Sequence, residues 1–422
     1  MIDQNIRVEG SVAAGFESVR DLFATNMGRL IEANSQLCVY VGGVRVVDLW
    51  ASAVGNEEYS PDNITNVFSS TKNFEAIAMA WLYGQGLFEY GDPVAAYWPE
   101  FAGGDKAATT IADVLRHEAG LAAFNHSIST SDLRRDRIKE NSIGRVIENH
   151  PQAFRKGGGE FRREYHAITR GWIVNEIFRR IDPAKRTIGE FMEGQLAAPL
   201  DADVICGVRD SDLNRIVPLT MPGVGFYVRE SFKSKGRRRI ELNALEGLAL
   251  GARLMRQMRD RTTRGMPASI LDMGDFTNFS KADIAQGEVP SANGHCSARG
   301  LAKVAAVMAR GGTWQGQEIL NEKGCQGLHS EPVKADMGFV TTFTQGGVAY
   351  FHPLSDESDS LERSLNEGRE GFFGWMGAGG SVFQWHPEYD IGFGYVPTSM
   401  AMVDMLNTRG KAYQTEVLRV VR

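Results

Sequence analysis

The chain has 422 residues, 43% of them hydrophobic and 23% charged, enough apolar side chain to bury a large core in one elaborated domain or two. A formal charge of −6 gives no general attraction to nucleic acid or to anionic membranes. Four scattered cysteines, Cys38, Cys206, Cys296 and Cys325, form no C-x-x-C pair, which excludes a zinc ribbon or redox motif, and no apolar run reaches the roughly 18 residues of a membrane span.

The opening Met1-Ile2-Asp3-Gln4-Asn5 lacks a charged-then-apolar signal segment, so a cytoplasmic protein is expected. Residues 15–31 place Phe16, Val19, Leu22, Phe23, Met27, Leu30 and Ile31 on one helical face. Two strand-like runs follow, 36–41 and 44–49, joined by Gly42-Gly43, which suits a two-residue hairpin turn.

After a polar stretch at 56–63 comes Val67-Phe68-Ser69-Ser70-Thr71-Lys72-Asn73-Phe74. From there Phe74, Ile77, Ala78, Trp81 and Leu82 fall at i, i+3, i+4, i+7 and i+8, which predicts a helix with one buried face running to about Leu87. Ser69 then stands at or just before the first turn. Residues three apart share a helix face, so the Lys72 amine reaches the Ser69 hydroxyl when both point into one cavity. A buried lysine loses solvation, its pKa falls, and it accepts the serine proton as a general base. The unpaired N–H groups at the helix start favour an oxyanion. Alone, Ser-x-x-Lys also reads as an N-cap serine followed by a solvated lysine. It occurs once in this chain, with apolar residues on both flanks.

Residues 92–101 read as a compact aromatic loop and 110–120 as a capped helix stopped by Gly120. His117, without an acid partner in sequence, reads as hydrogen-bonded at the helix end rather than as a base. Residues 143–154 look helical, 156–160 form a glycine-rich turn, and Glu164-Tyr165-His166-Ala167 leads into a helix through Phe178. Between 201 and 290 the pattern is mixed, with a helix over 242–258 as its clearest element. The basic run from Lys233 to Arg239 reads as a solvated loop, with a phosphate or polyanion site as the alternative. Ser297 is the expected N-cap of a helix over 301–309. The acidic run 356–370 reads as a solvated loop, 374–385 and 391–397 as strands, and 410–421 as a last helix. Hairpins at both ends of the chain predict one antiparallel sheet. The sheet domain is expected from residues 1–72 and 300–422, with 73–299 inserted as a mostly helical domain and the active cleft between them.

Three stretches stand in order: Ser69-Ser70-Thr71-Lys72, Tyr165-His166-Ala167, and Trp375-Met376-Gly377-Ala378-Gly379-Gly380-Ser381. Together they resemble the serine β-lactamase and penicillin-binding-protein superfamily, in its class C-like branch of esterases, D-aminopeptidases, transesterases and animal β-lactamase-like proteins. The resemblance runs from about Val8 to the C-terminus and includes Asp92-Pro93-Val94 and Leu115-Arg116-His117 with Gly120-Leu121. It implies an α+β fold of the β-lactamase/transpeptidase type, an antiparallel sheet flanked by N- and C-terminal helices. It further implies Ser69 as the acyl-accepting nucleophile, Lys72 as the amine that takes its proton, and Tyr165, as phenol or phenolate, as the second base. The Ser69 and Ala378 N–H groups would form the oxyanion hole, roughly 3–4 kcal/mol per donor.

The chain departs from the pattern at the substrate side. Many relatives carry Tyr-x-Asn where this chain has Ala167 beside His166, so an amide contact is missing. Relatives carry Lys-Thr-Gly or His-x-Gly where this chain has Trp375-Met376-Gly377, which removes the cation that would pair with a penicillin carboxylate. Trp375, Gly377, Ala167 and His166 are the expected substrate-binding positions, with Trp375 as a flat apolar wall. The resemblance with these departures implies a serine carboxylesterase acting on a small neutral ester, with acyl transfer to an acceptor other than water left open. Amide cleavage, as a D-aminopeptidase or weak β-lactamase, is one alternative and a catalytically silent, filament-forming scaffold is another. No G-x-S-x-G, H-E-x-x-H, P-loop or G-x-G-x-x-G motif is present. No metal or organic cofactor and no nucleic acid partner are expected, and a homo-oligomer is left open.

Overall fold

Gly42 and Gly43, at φ of 59° and 76°, supply the two left-handed positions of a tight hairpin turn between β2 (Asn34–Val41) and β3 (Val44–Ser52). Around that hairpin the computed structural model, which describes residues 6–154, 163–234, 237–240, 262–271, 273–401 and 407–422, builds a six-stranded antiparallel sheet. The other strands are β1 (Val8–Val12), β4 (Phe373–Met376), β5 (Val382–His386) and β6 (Ile391–Pro397), in the order β1-β3-β2-β6-β5-β4. The two ends of the chain therefore meet at the β2–β6 pair, Ile391 opposite Val41 through Pro397 opposite Ser35.

The pleat of β6 decides what covers each face. Ile391, Phe393 and Tyr395 point to one side, toward α1 (Glu17–Arg29) and the C-terminal α5 (Thr408–Val421), where Tyr413 meets Phe23 and Tyr395. On the other side Gly392 and Gly394 let α4 (Ala298–Ala309) lie against the sheet. A methyl on Gly392 would come within 2.3 Å of the Ala306 nitrogen, and one on Gly394 within 2.4 Å of the Ala298 carbonyl oxygen. Ser297 caps α4 by accepting from the Gly300 N–H, as its sequence predicts.

The helix after Ser69, α2 (Lys72–Gly84), departs from the one-faced amphipathic pattern. Every residue from Lys72 to Ala80 is buried, because α2 is enclosed by α3 (Thr169–Ile181), the helix Glu322–His329 and the sheet. Phe74 packs its ring 4.9 Å from that of Phe383 and the Asn73 amide donates to the Phe383 carbonyl at 2.8 Å, tying α2 to β5. Periodicity reports one apolar face and is silent about a helix buried all round by small residues such as Ala76, Ala78 and Ala80.

Other expectations are corrected. The run 374–385 is two strands, β4 and β5, with Gly377 to Ser381 as their turn, where Gly379 and Gly380 take φ of 85° and 116° and leave the extended backbone of a strand. The helix expected over 110–120 is limited to Ile111–Leu115, capped by a reciprocal Thr110–Asp113 pair. The helix expected over 143–154 ends at Asn149, ahead of Pro151. Within the acidic run 356–370, Ser360–Asn366 is a helix capped by Asp359, and its buried Glu362 accepts from Lys334 and lies 2.6 Å from His352 Nε2. The expected elements at 156–160 and 242–258 lie outside the described residues. All four cysteines are free buried thiols. No helix among the described residues is long and apolar enough to cross a membrane.

Candidate active site

Ser69 sits in a single 3₁₀ turn, Phe68–Thr71, that runs directly into α2. Three residues, Asn66, Gly294 and Ser381, fix this turn. Phe68 takes a left-handed backbone, φ 45°, and its N–H donates to the Asn66 side chain at 2.8 Å. The Val67 N–H donates to the Gly294 carbonyl at 2.9 Å, and the Gly294 N–H donates to Thr71 Oγ1 at 3.0 Å. Ser381, just before β5, donates from its hydroxyl to the Val67 carbonyl at 2.7 Å and lies 2.9 Å from Ser70 Oγ. A non-glycine residue at φ 45° costs of order 1–3 kcal/mol, and this one directly precedes the half-buried Ser69 hydroxyl.

Ser69 Oγ is met from two sides. Lys72 Nζ lies 3.3 Å away and the Tyr165 hydroxyl donates to it at 2.7 Å. Lys72 Nζ also donates to the Ala167 carbonyl at 2.6 Å and to the Ser291 carbonyl at 2.9 Å. Burial lowers Lys72 from its ordinary 10.5 to about 7, with Arg170 adding to the fall and Glu75 opposing it. In the ammonium form three N–H groups serve three oxygens. In the neutral amine the two carbonyls take both remaining hydrogens, and the lone pair is left facing the Ser69 hydroxyl.

Tyr165 is the neutral partner. Burial raises its pKa, while hydrogen bonds with Ser69 and Trp375 pull the other way, so near neutral pH it is a phenol rather than a phenolate. Trp375 Nε1–H donates to the Tyr165 oxygen at 3.1 Å. The expected flat apolar wall thus carries a polar edge, and that edge is spent on Tyr165. One directional chain results: Trp375 N–H to Tyr165 O–H to Ser69 O–H to the Lys72 amine.

The remaining expected positions take different places. Ala167 is exposed, and its carbonyl, not its side chain, serves the site through Lys72. Ala378 is exposed at the β4–β5 turn, which Ser381 ties to Val67 and Ser70 on either side of the Phe68-Ser69 pair. Gly377 is there for close approach, since a methyl on it would lie 2.2 Å from the Val67 carbonyl oxygen. His166 turns away from the cleft. It is fully buried, its Nε2 accepts from the Leu121 N–H at 3.1 Å, and its Nδ1 donates to the Glu164 carbonyl at 2.6 Å. Burial holds it neutral, at about 4. His117 follows the helix-end reading: its backbone is left-handed at φ 67°, and its Nδ1 accepts from the His166 N–H at 3.1 Å.

A network beneath Lys72 escapes a reading of the sequence. Arg170 and Glu75, both fully buried, pair at 2.7 Å, and Arg170 also donates to the carbonyls of Lys72, Leu115 and Gly347. Ser291 donates to Glu75 at 2.6 Å while its carbonyl holds Lys72. The available signal was a charge inside an uninterrupted apolar run, Glu75 between Phe74 and Ala76 and Arg170 ahead of Trp172-Ile173-Val174. Glu75→Gln leaves the Arg170 charge buried without its counter-ion, and chemical denaturation should show a loss of about 3–5 kcal/mol.

The Lys72 shift has a sign in both activity and stability. Only the neutral amine accepts the Ser69 proton, so any turnover that uses it rises with pH through a limb near 7. Above that limb and up to the ordinary lysine value the unfolded chain holds the proton that the fold has released. The Lys72 contribution to stability therefore increases with pH across that window. A kcat/KM profile that is flat from pH 5.5 to 8.5, an interval of about 1.5 units to either side of the limb, would remove Lys72 from the proton path.

A family model described as Beta-lactamase matches residues 19–414 of the chain. The chain is 27% identical over 401 residues to an esterase/beta-lactamase LipL of Mycobacterium tuberculosis, covering 93% of this chain and 83% of that protein. Its fold matches the crystal structure of a family VIII carboxylesterase with a TM-score of 0.72 at 25% identity, over 98% of this chain and 100% of the other. A penicillin-binding-protein homologue from Caulobacter crescentus matches with a TM-score of 0.74 at 24% identity, over the same shares.

Proposed function

The chain belongs to the beta-lactamase family, with its β-lactamase/transpeptidase-like α+β fold, and on that premise we propose that it is a serine carboxylesterase working through an acyl-Ser69 intermediate. The observation that carries this is the hydrogen-bond chain from Trp375 through Tyr165 and Ser69 to Lys72. Ser69 Oγ attacks the ester carbonyl carbon and its proton passes to Lys72 Nζ. The oxyanion forms against the Ser69 and Ala378 N–H groups. When the carbon–oxygen bond breaks, the leaving alkoxide takes the Tyr165 proton. Lys72, whose amine lies 5.0 Å from the Tyr165 ring centroid, restores the phenol. Water then attacks the acyl carbon and gives its proton to the same pair; as the bond to Ser69 Oγ breaks, that oxygen takes a proton back from the pair, and the carboxylic acid and the free Ser69 hydroxyl are released. An alcohol in the place of water makes the step an acyl transfer.

The choice of ester over β-lactam or peptide rests on Trp375. It brings one N–H, already bound to Tyr165, and no charge for a substrate carboxylate. The relatives support the ester: one is described as an esterase as well as a beta-lactamase and another as a carboxylesterase. The test sets p-nitrophenyl butyrate against nitrocefin and maps a fluorophosphonate adduct by intact mass. Ester turnover should exceed nitrocefin turnover with one label, on the Ser69 peptide. Faster nitrocefin hydrolysis, or a label elsewhere, would overturn the assignment.

A further inference from the structure

The segment from Met221 to Arg239 takes no part in the proton chain, yet it carries an unusual surface. Its helix Val224–Ser231 turns Phe226 and Tyr227 inward against Ile31, Ile240 and Ala401, with Glu230 buried beneath. Val224 and Val228 lie one turn apart on the outward side, 79% and 52% exposed, and Phe232, 85% exposed, continues the row. Among the described residues, seven of the nine exposed large hydrophobic side chains fall between 221 and 276, so the apolar exposure is local rather than scattered.

The same stretch is basic. Residues 229–239 hold six Lys and Arg against one Glu in a chain of net charge −6, and Arg229, Lys233 and Arg237 are exposed. Lys235 and Gly236 of the basic run lie outside the described residues, but its last residue is anchored: the Arg239 guanidinium donates to the Leu30 carbonyl and its N–H to Glu230. Lys233 pairs with Glu230 at 2.5 Å and Arg229 lies 3.8 Å from it, one carboxylate against two cations, so a row of valine and phenylalanine edged by a net positive charge has the composition of an interfacial element.

We propose that this face docks the protein on an anionic lipid surface. Charge complementarity selects this occupant over two others. A second copy would bring an identical basic patch against this one in a two-fold contact. Residues 241–261 offer no excess of negative charge, having Arg253, Arg256, Arg259 and Arg261 against Glu241, Glu246 and Asp260. The face also begins beside the catalytic turn. Thr220 exchanges backbone hydrogen bonds with Thr398 and Met400, and a methyl on Gly379 would lie 3.1 Å from the Met400 side chain. A docked surface would present its esters near Ala378. The docking itself does not rest on the esterase reading.

The test is sedimentation of the full chain with phosphatidylglycerol–phosphatidylcholine vesicles and with phosphatidylcholine alone. The protein should pellet with the anionic vesicles only, and added salt should release it. Arg229→Gln with Arg237→Gln should weaken partitioning about thirtyfold, and Val228→Ser with Phe232→Ser should weaken it too, with p-nitrophenyl butyrate turnover unchanged. Three outcomes overturn the proposal: no sedimentation, equal sedimentation with neutral vesicles, or a dimer in light scattering that Phe232→Ser dissociates while vesicles remain unbound. Binding unchanged in both double variants overturns it as well, since the contact then lies elsewhere.

Discussion

Ser69→Ala is expected to lower kcat/KM for p-nitrophenyl butyrate by roughly a millionfold and to abolish labelling by a fluorophosphonate. Removing one hydroxyl takes away the atom that both Lys72 Nζ and the Tyr165 hydroxyl address, at 3.3 and 2.7 Å. The fold should survive, because alanine keeps the Ser69 carbonyl that accepts from the Lys72 N–H, and the Ser69 hydroxyl makes no contact with Ser381. Ser70 makes that contact. Ser70→Ala is therefore the matched control: it disturbs a fully buried hydroxyl pair and should cost about 1 kcal/mol of stability while the probe still labels the protein. Equal loss of labelling in both variants would show that the turn, not the nucleophile, had been removed, and retained labelling in Ser69→Ala would sink the assignment.

What the sequence disclosed and what it hid divide along a physical line. A three-residue spacing on a helix start is local, so Ser69 and Lys72 were legible as a pair before any fold was known. Turn chemistry is local too, and Gly42-Gly43 marked the β2–β3 hairpin. The Glu75–Arg170–Ser291 network joins residues 95 and 216 positions from Glu75, and no periodicity reports such pairings. Each of those charges reads in sequence as a solvated side chain, because the cost of burying it is offset only by a distant partner. Trp375 was legible as a departure from a pattern but not as a hydrogen-bond donor, since its N–H finds Tyr165 across 210 residues. His166 failed in the other direction. Its position beside Tyr165 suggested the cleft, while the chain's change of direction before α3 sends its ring into the core.

Tyr165→Phe is the most informative of the remaining changes, because it removes one oxygen and keeps the ring. The ring's packing on His117 at 4.9 Å and on Trp375 at 6.2 Å is retained, as is the Lys72 contact at 5.0 Å. Lost are the donor to Ser69 and the acceptor of the Trp375 N–H. If the phenol is the acid that protonates the leaving group, its absence matters in proportion to how badly that group needs a proton. An ethyl ester expels a strongly basic alkoxide and should lose roughly 10²–10⁴-fold in kcat/KM. A p-nitrophenyl ester expels a stable phenolate and should lose much less in acylation. Lys72→Met acts on the serine proton instead, before the leaving group is involved, so its loss should be similar for both esters. Substrate pairs measured under single-turnover conditions separate the two roles. Equal losses for both esters in Tyr165→Phe would mean that Tyr165 works with Lys72 on Ser69 alone, and that the leaving group takes its proton from Lys72.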